Sequence, residues 1–232
     1  MIDLGIPMHK KTLLAAGCLW LTAGPVLAEA WSYPGWQDGR DTRVKALALL
    51  QTLNATLLSN SSATRTLQQW CADHRMASPA QIRALRNPAD HKDASAEVRA
   101  QLQARPGERI AYRRVQLACG EYVLSEADNW YLPSKLSAEM NRLLDSSDVP
   151  FGRAVAALNF RRQTEEVKLL WSPLPAGWEM KAAASETAAA GLDIAQQVLQ
   201  HRAVLYRGSD NAPFSVVVET YQREVFAFPL AY

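Results

Sequence analysis

The chain has 232 residues, 48% of them hydrophobic and 21% charged, with a formal net charge of +2. These proportions exclude a disordered chain, which needs lower hydrophobicity or a higher net charge, and they suit one sizeable core. No Lys/Arg block gives the footprint of a nucleic-acid binder, so a polyanionic partner is not expected, whereas a small acid needs only a local arginine.

In chain order, His9-Lys10-Lys11 is a basic flank, and Thr12 to Ala28 is apolar up to Gly24-Pro25 and Val26-Leu27-Ala28. This is the pattern of an export signal cleaved after Ala28, giving a signal peptide over 1–28 and a periplasmic or secreted protein. The apolar run is too short for a stable membrane span of roughly 20 residues. Leu14-Ala15-Ala16-Gly17-Cys18 resembles a lipobox and ranks second to simple cleavage. Glu29 to Asp41, rich in Gly, Pro and Trp, reads as an extended lead-in to a single domain over 42–232.

Val44, Leu47, Leu50, Leu53 and Leu57 recur at spacings of three and four, which predicts an amphipathic helix. Ser59-Asn60-Ser61-Ser62 stops it and offers caps to a second helix carrying Leu67, Trp70, Cys71 and His74. Cys71 and Cys119 remain after the leader: a disulfide and two separate buried thiols both stay open. Ile82 to Leu85 is a short strand, and Ser95 caps a short helix bearing Val98 and Leu102. Arg109 to Ala118 alternates as a strand, and the tight Gly120-Glu121 connection makes Tyr122 to Leu132 its antiparallel partner. Leu136, Met140, Leu143 and Leu144 fit a helix, Pro150-Phe151-Gly152-Arg153 a turn or short helix, and Asn159 to Trp171 a strand. The Ala-rich run from Lys181 to Ala190 reads as a surface insertion. Val198 to Arg207 and Phe214 to Phe226 form a closing hairpin. Short connections favour an α+β fold, a mostly antiparallel sheet flanked by helices.

No nucleophile elbow, Walker loop, H-E-x-x-H or Rossmann fingerprint is present, and no Cys/His spacing suits a metal. Two strand residues stand out. Arg113 shares a face with Ala111, Val115 and Leu117, where an unpaired charge is costly. Glu219 interrupts the apolar run Ser215-Val216-Val217-Val218 and shares a face with Val217 and Tyr221. From pattern alone, an internal Arg113–Glu219 ion pair explains both.

Several segments together resemble the chorismate pyruvate-lyase family. Tyr112-Arg113-Arg114-Val115-Gln116-Leu117, Gly120-Glu121 and Ala127-Asp128-Asn129-Trp130-Tyr131-Leu132-Pro133 are similar to its first central hairpin. Val149-Pro150-Phe151-Gly152-Arg153 resembles its Pro-Leu-Gly-Arg turn. His201-Arg202, Gly208 and Val218-Glu219-Thr220-Tyr221 resemble its closing hairpin, and Ser62-Ala63-Thr64 its Ser-Met-Thr segment. The resemblance implies a chorismate-lyase-like fold enclosing a small acidic cyclic or aromatic ligand under helical flaps. It implies elimination of pyruvate from chorismate, or a similar small cyclic acid, to give 4-hydroxybenzoate, with no metal or organic cofactor. By position, Arg113 and Glu219 are the catalytic candidates, Arg113 holding a carboxylate and Glu219 contacting the ring-hydroxyl end or assisting proton movement. Ala63, Phe151, Gly152 and Arg202 are the substrate-binding candidates, Ala63 widening the site where the family has methionine. The alternatives are a non-catalytic periplasmic binding protein for an aromatic carboxylate, and a structural protein closed over its own ion pair.

Overall fold

A computed structural model describes Met1 and residues 33–87, 89–181 and 190–230. The export signal, its cleavage point, Cys18, the start of the lead-in and most of the Ala-rich insertion lie outside the described residues.

Helix α1 (Arg40–Ser59) buries Ala46, Leu50, Leu53 and Leu57, one stripe at helical spacing. Helix α2 (Ala63–Asp73) starts where the Ser62 hydroxyl accepts from the Arg65 N–H. After strand β1 (Ile82–Leu85), Ser95 caps helix α3 (Ala96–Gln101) in the same way. Strands β2 (Ala111–Cys119) and β3 (Tyr122–Tyr131) form the first long hairpin. Helices α4 (Ala138–Ser146) and α5 (Phe151–Ala154) then lead to β4 (Arg161–Leu169). Strands β5 (Gln197–Tyr206) and β6 (Pro213–Gln222) close the sheet.

The described residues make one six-stranded sheet in the order β1-β2-β3-β6-β5-β4, with every pairing antiparallel. The fold is therefore α+β. Central β6 is almost wholly buried, which explains its unbroken Val216-Val217-Val218 run, while edge strand β4 is largely exposed.

One sheet face carries Val115, Ala127, Val217, Ala203 and Tyr221, packed under α1 and α2. Towards the other end of that face, Tyr131 and Leu205 pack under α4 and α5 with Leu144, Phe151 and Val155. The opposite face carries Trp130, Val204 and Val216, covered by Val98 and Leu102 from the α3 region. Trp36, within the segment read as a lead-in, belongs to the first cluster and donates its indole N–H to the Phe228 carbonyl at 2.7 Å. Cys71 and Cys119 form a disulfide, the first of the two options, and it ties α2 to β2. Gly208 lets the strand end touch the preceding loop, because a Cβ there would stand 2.4 Å from the Asn159 carbonyl oxygen.

Candidate functional site

Between the two clusters on the first face lies a cavity of about 50 Å³. Its apolar wall is Val115, Leu117, Ala127, Val217, Leu205 and Phe151. Its polar groups are Ser62 and Thr64 at the start of α2, Asn129 on β3, Arg162 on β4 and Glu219 on β6. Sheet register explains the convergence. Val115, Ala127, Glu219 and His201 lie in one cross-strand row, and Arg113, Asn129, Val217 and Ala203 lie in the next row on that face.

Glu219 is paired with Arg162, not with Arg113. Arg162 Nη2 stands 2.7 Å from Glu219 Oε2 without hydrogen-bond alignment, and the two side chains are 5% and 11% exposed. The Tyr221 hydroxyl donates to the same carboxylate oxygen at 3.1 Å. Burial opposes the Arg162 charge, but Glu219 outweighs it, so the guanidinium is held charged. Burial, then Glu219, pushes the Tyr221 phenol well above its ordinary value, so it stays protonated. His201, opposite Glu219, is fully buried with Nε2 2.8 Å from Asn54 Oδ1 and Nδ1 without a partner. Burial, then Arg162, pulls its pKa down to about 4.

Arg113 is 5% exposed and does not line the cavity wall. It stands across from Asn129, which does. Its Nη2 donates to the carbonyls of Val149 at 3.0 Å and Ser147 at 3.3 Å, in the α4–α5 connection. Its Nε and Nη1 are buried without partners. Burial, then the nearby Arg86 charge, lowers its pKa from the ordinary value.

Of the residues singled out in the sequence, the structure brings Ala63, Phe151, Gly152 and Glu219 to one cavity. Gly152 permits close contact there, since a Cβ would meet the Ser62 hydroxyl at 3.2 Å. Arg202 is not at the cavity. It alternates with His201 to the opposite face, where it meets Glu97 at 3.2 Å and Gln101 at 2.7 Å. Arg162 and Asn129 were missed. Arg162 sits in the polar run Arg161-Arg162-Gln163-Thr164-Glu165-Glu166, which shows no alternation, and Asn129 follows Asp128 in an equally polar pair. Among the described residues no group of His, Cys, Asp and Glu is placed to hold a metal ion.

This is an α+β domain whose antiparallel sheet carries a small cavity walled by a buried ion pair. No family model matches the chain. Over 195 residues it is 49% identical to the uncharacterized protein y4mC of Sinorhizobium fredii (strain NBRC 101917 / NGR234), covering 84% of this chain and 82% of that protein. The chain belongs to the family of that protein. Among solved structures, PhnF from Mycobacterium smegmatis is 10% identical with a TM-score of 0.45, over 75% of this chain and 70% of that one. The effector domain of PhnF gives 10% identity and a TM-score of 0.42, over 67% and 90%. Likenesses this distant carry no argument about function.

Proposed function

We propose that the domain binds a compact acidic ring compound between the sheet and the α2 and α5 caps, at a site of the chorismate-lyase kind its motifs resemble. The observation that carries this reading is Arg113, a buried guanidinium with two nitrogens lacking partners beside an apolar cavity. A buried cation without a counter-ion is costly, and a ligand carboxylate matches its fork. The start of α2, at Ser62, Ala63 and Thr64, lines the cavity, and a helix N-terminus favours an anion. The apolar wall suits a ring.

The cavity volume of about 50 Å³ is far below the roughly 300–1,000 Å³ of ligand pockets. Binding therefore requires α5 and the start of α2 to separate from the sheet, which also opens the way to Arg113. The test is titration calorimetry with 4-hydroxybenzoate against wild type and Arg113→Ala. We expect at least a tenfold loss of affinity in the variant; unchanged affinity overturns the reading.

Lyase activity is the second reading, favoured by Glu219, the family's ring-hydroxyl carboxylate by resemblance, which lines the cavity. In that case the chain's residues orient the substrate, exclude water and present fixed charges while the product ring becomes aromatic. Glu219→Gln would then lower kcat with less effect on KM, and Arg113→Ala would chiefly raise KM. Pyruvate release from chorismate decides: wild-type protein that binds 4-hydroxybenzoate yet releases no pyruvate is a binding protein. We also propose that the chain is exported and cleaved after Ala28. N-terminal sequencing of the native protein should give Glu29; a lipid on Cys18 or a retained leader overturns it.

A further inference from the structure

The two edges of the sheet differ in length. β1 presents four residues and β4 nine, and among the described residues no strand pairs with the outer edge of β4. The N–H and C=O groups along such an edge are a template for a further strand. Exposed aliphatic side chains gather at the same place. Val167, Leu169 and Leu170, within four consecutive positions, are 39%, 50% and 39% exposed. Val167 and Leu169 stand opposite His201 and Leu199, both fully buried, so they form the outer rim of the core on the first sheet face. Covering that rim removes apolar surface from water, which favours association.

Charge restricts what can pair there. Glu166 and Lys168 stand opposite Arg202 and Gln200 on the other sheet face, and both are exposed. A lysine on an edge deters strands of arbitrary sequence. Glu166-Val167-Lys168 is nevertheless complementary to itself when antiparallel. Residues directly opposite each other share a face, so a two-fold register has to centre on a residue. Centred on Glu166 or on Lys168, it sets like charges face to face, which is unfavourable. Centred on Val167, it sets each Glu166 against the Lys168 of the other copy and valine against valine. Leu169 then lies diagonal to the second Val167 on the core side, within reach for aliphatic contact.

We propose that β4 is a homodimer interface, at which two copies pair antiparallel about Val167 and join their sheets edge to edge. The partner is a second copy of this chain, because the same charges that admit it repel unrelated strands. Within one chain Lys168 already reaches Glu166 at 2.9 Å, both about half exposed, and pairing exchanges that bridge for two between chains. The register of β4 is irregular between Thr164 and Glu166, which ends the regular edge on that side. The contact is therefore small and the dimer weak. The proposal stands whatever the cavity binds.

The experiment is sedimentation velocity at low salt over a concentration series from about 1 μM to about 1 mM, a range suited to a small interface. Wild type should pass from monomer to dimer within it. Glu166→Lys and Lys168→Glu each set like charges opposite one another in the self-pair, so each should weaken dimerisation by about tenfold or more. Mixing the two single variants sets lysines opposite glutamates, and a heterodimer should form where neither variant self-associates. The charge-swapped Glu166→Lys/Lys168→Glu should dimerise as wild type does. All these positions are exposed, and circular dichroism checks that each variant is folded. Loss of the bridge within one chain is common to both single variants and is not repaired by mixing, so rescue on mixing reports contact between chains. A wild type that stays monomeric throughout overturns the proposal and leaves the edge to another partner. Dimers that survive both single substitutions, or single variants that fail to rescue each other, overturn it too, because the contact then lies elsewhere.

Discussion

Arg162 and Glu219 hold each other in place at a cost in desolvation, so removing one partner is worse than removing both. Arg162→Met strands a carboxylate with only the Tyr221 hydroxyl for support. It should lose about 3–5 kcal/mol by urea denaturation at neutral pH, and Arg162→Met/Glu219→Leu should recover most of it. A double variant as unstable as the single one would show that the pair's charge is not the cause. His201 supplies a pH dependence. Its folded pKa of about 4 lies below the ordinary 6.5, so the unfolded chain takes up the proton first. Stability is full above pH 6.5 and falls as pH drops through the window down to about 4, by on the order of 3 kcal/mol. Urea midpoints at pH 7 and 4.5 should differ less in His201→Gln than in wild type. Equal pH slopes in the two proteins would assign the loss to other groups.

At the scale of elements, the Cys71–Cys119 disulfide joins the helix that begins at the cavity to the strand that carries Arg113. It closes a 48-residue separation, for which chain entropy gives stabilisation on the order of 4 kcal/mol. Cys71→Ala/Cys119→Ala should therefore melt well below wild type, and dithiothreitol should shift wild type but not the variant. A variant with wild-type Tm would mean that the packing of Leu67 and Trp70 alone holds α2. The sequence pattern located most of these elements. Apolar residues at spacings of three and four marked α1, alternation marked β2, and apolar runs bounded by turn residues marked β3, β5 and β6. Alternation also put Arg113 and Glu219 on apolar faces. It could not say which strands are neighbours, and that is why Arg113 rather than Arg162 looked like the partner of Glu219. Arg162 emerges only when β4 pairs with β5 and sets Arg162 opposite Leu205 on the cavity face. Arg202 was misplaced for a related reason: its neighbour His201 does face inward, and one step along a strand reverses the face.

For the molecule as a whole, the two clusters on the first sheet face meet at the cavity, and on the acid-binding proposal their junction is where the domain would open. The sheet itself is continuous beneath both, and no described helix is long and apolar enough to cross a membrane. A ring of 4-hydroxybenzoate size does not fit about 50 Å³, so on the acid-binding proposal the caps would give way while the sheet stays paired. The α4–α5 connection is held by Arg113 through the Ser147 and Val149 carbonyls, and the last turn of α4 by Arg86 through the Leu144 and Asp145 carbonyls. A ligand carboxylate on Nε and Nη1 of Arg113 would leave those Nη2 bonds intact and fix the guanidinium further. Saturating 4-hydroxybenzoate should therefore slow amide hydrogen exchange over 138–158 and at the start of α2. Central strands β5 and β6, paired on both sides, should change little, and so should α3 on the far face. Protection confined to α3, or spread evenly over the domain, would mean that the ligand sits elsewhere and that the junction is ordinary packing.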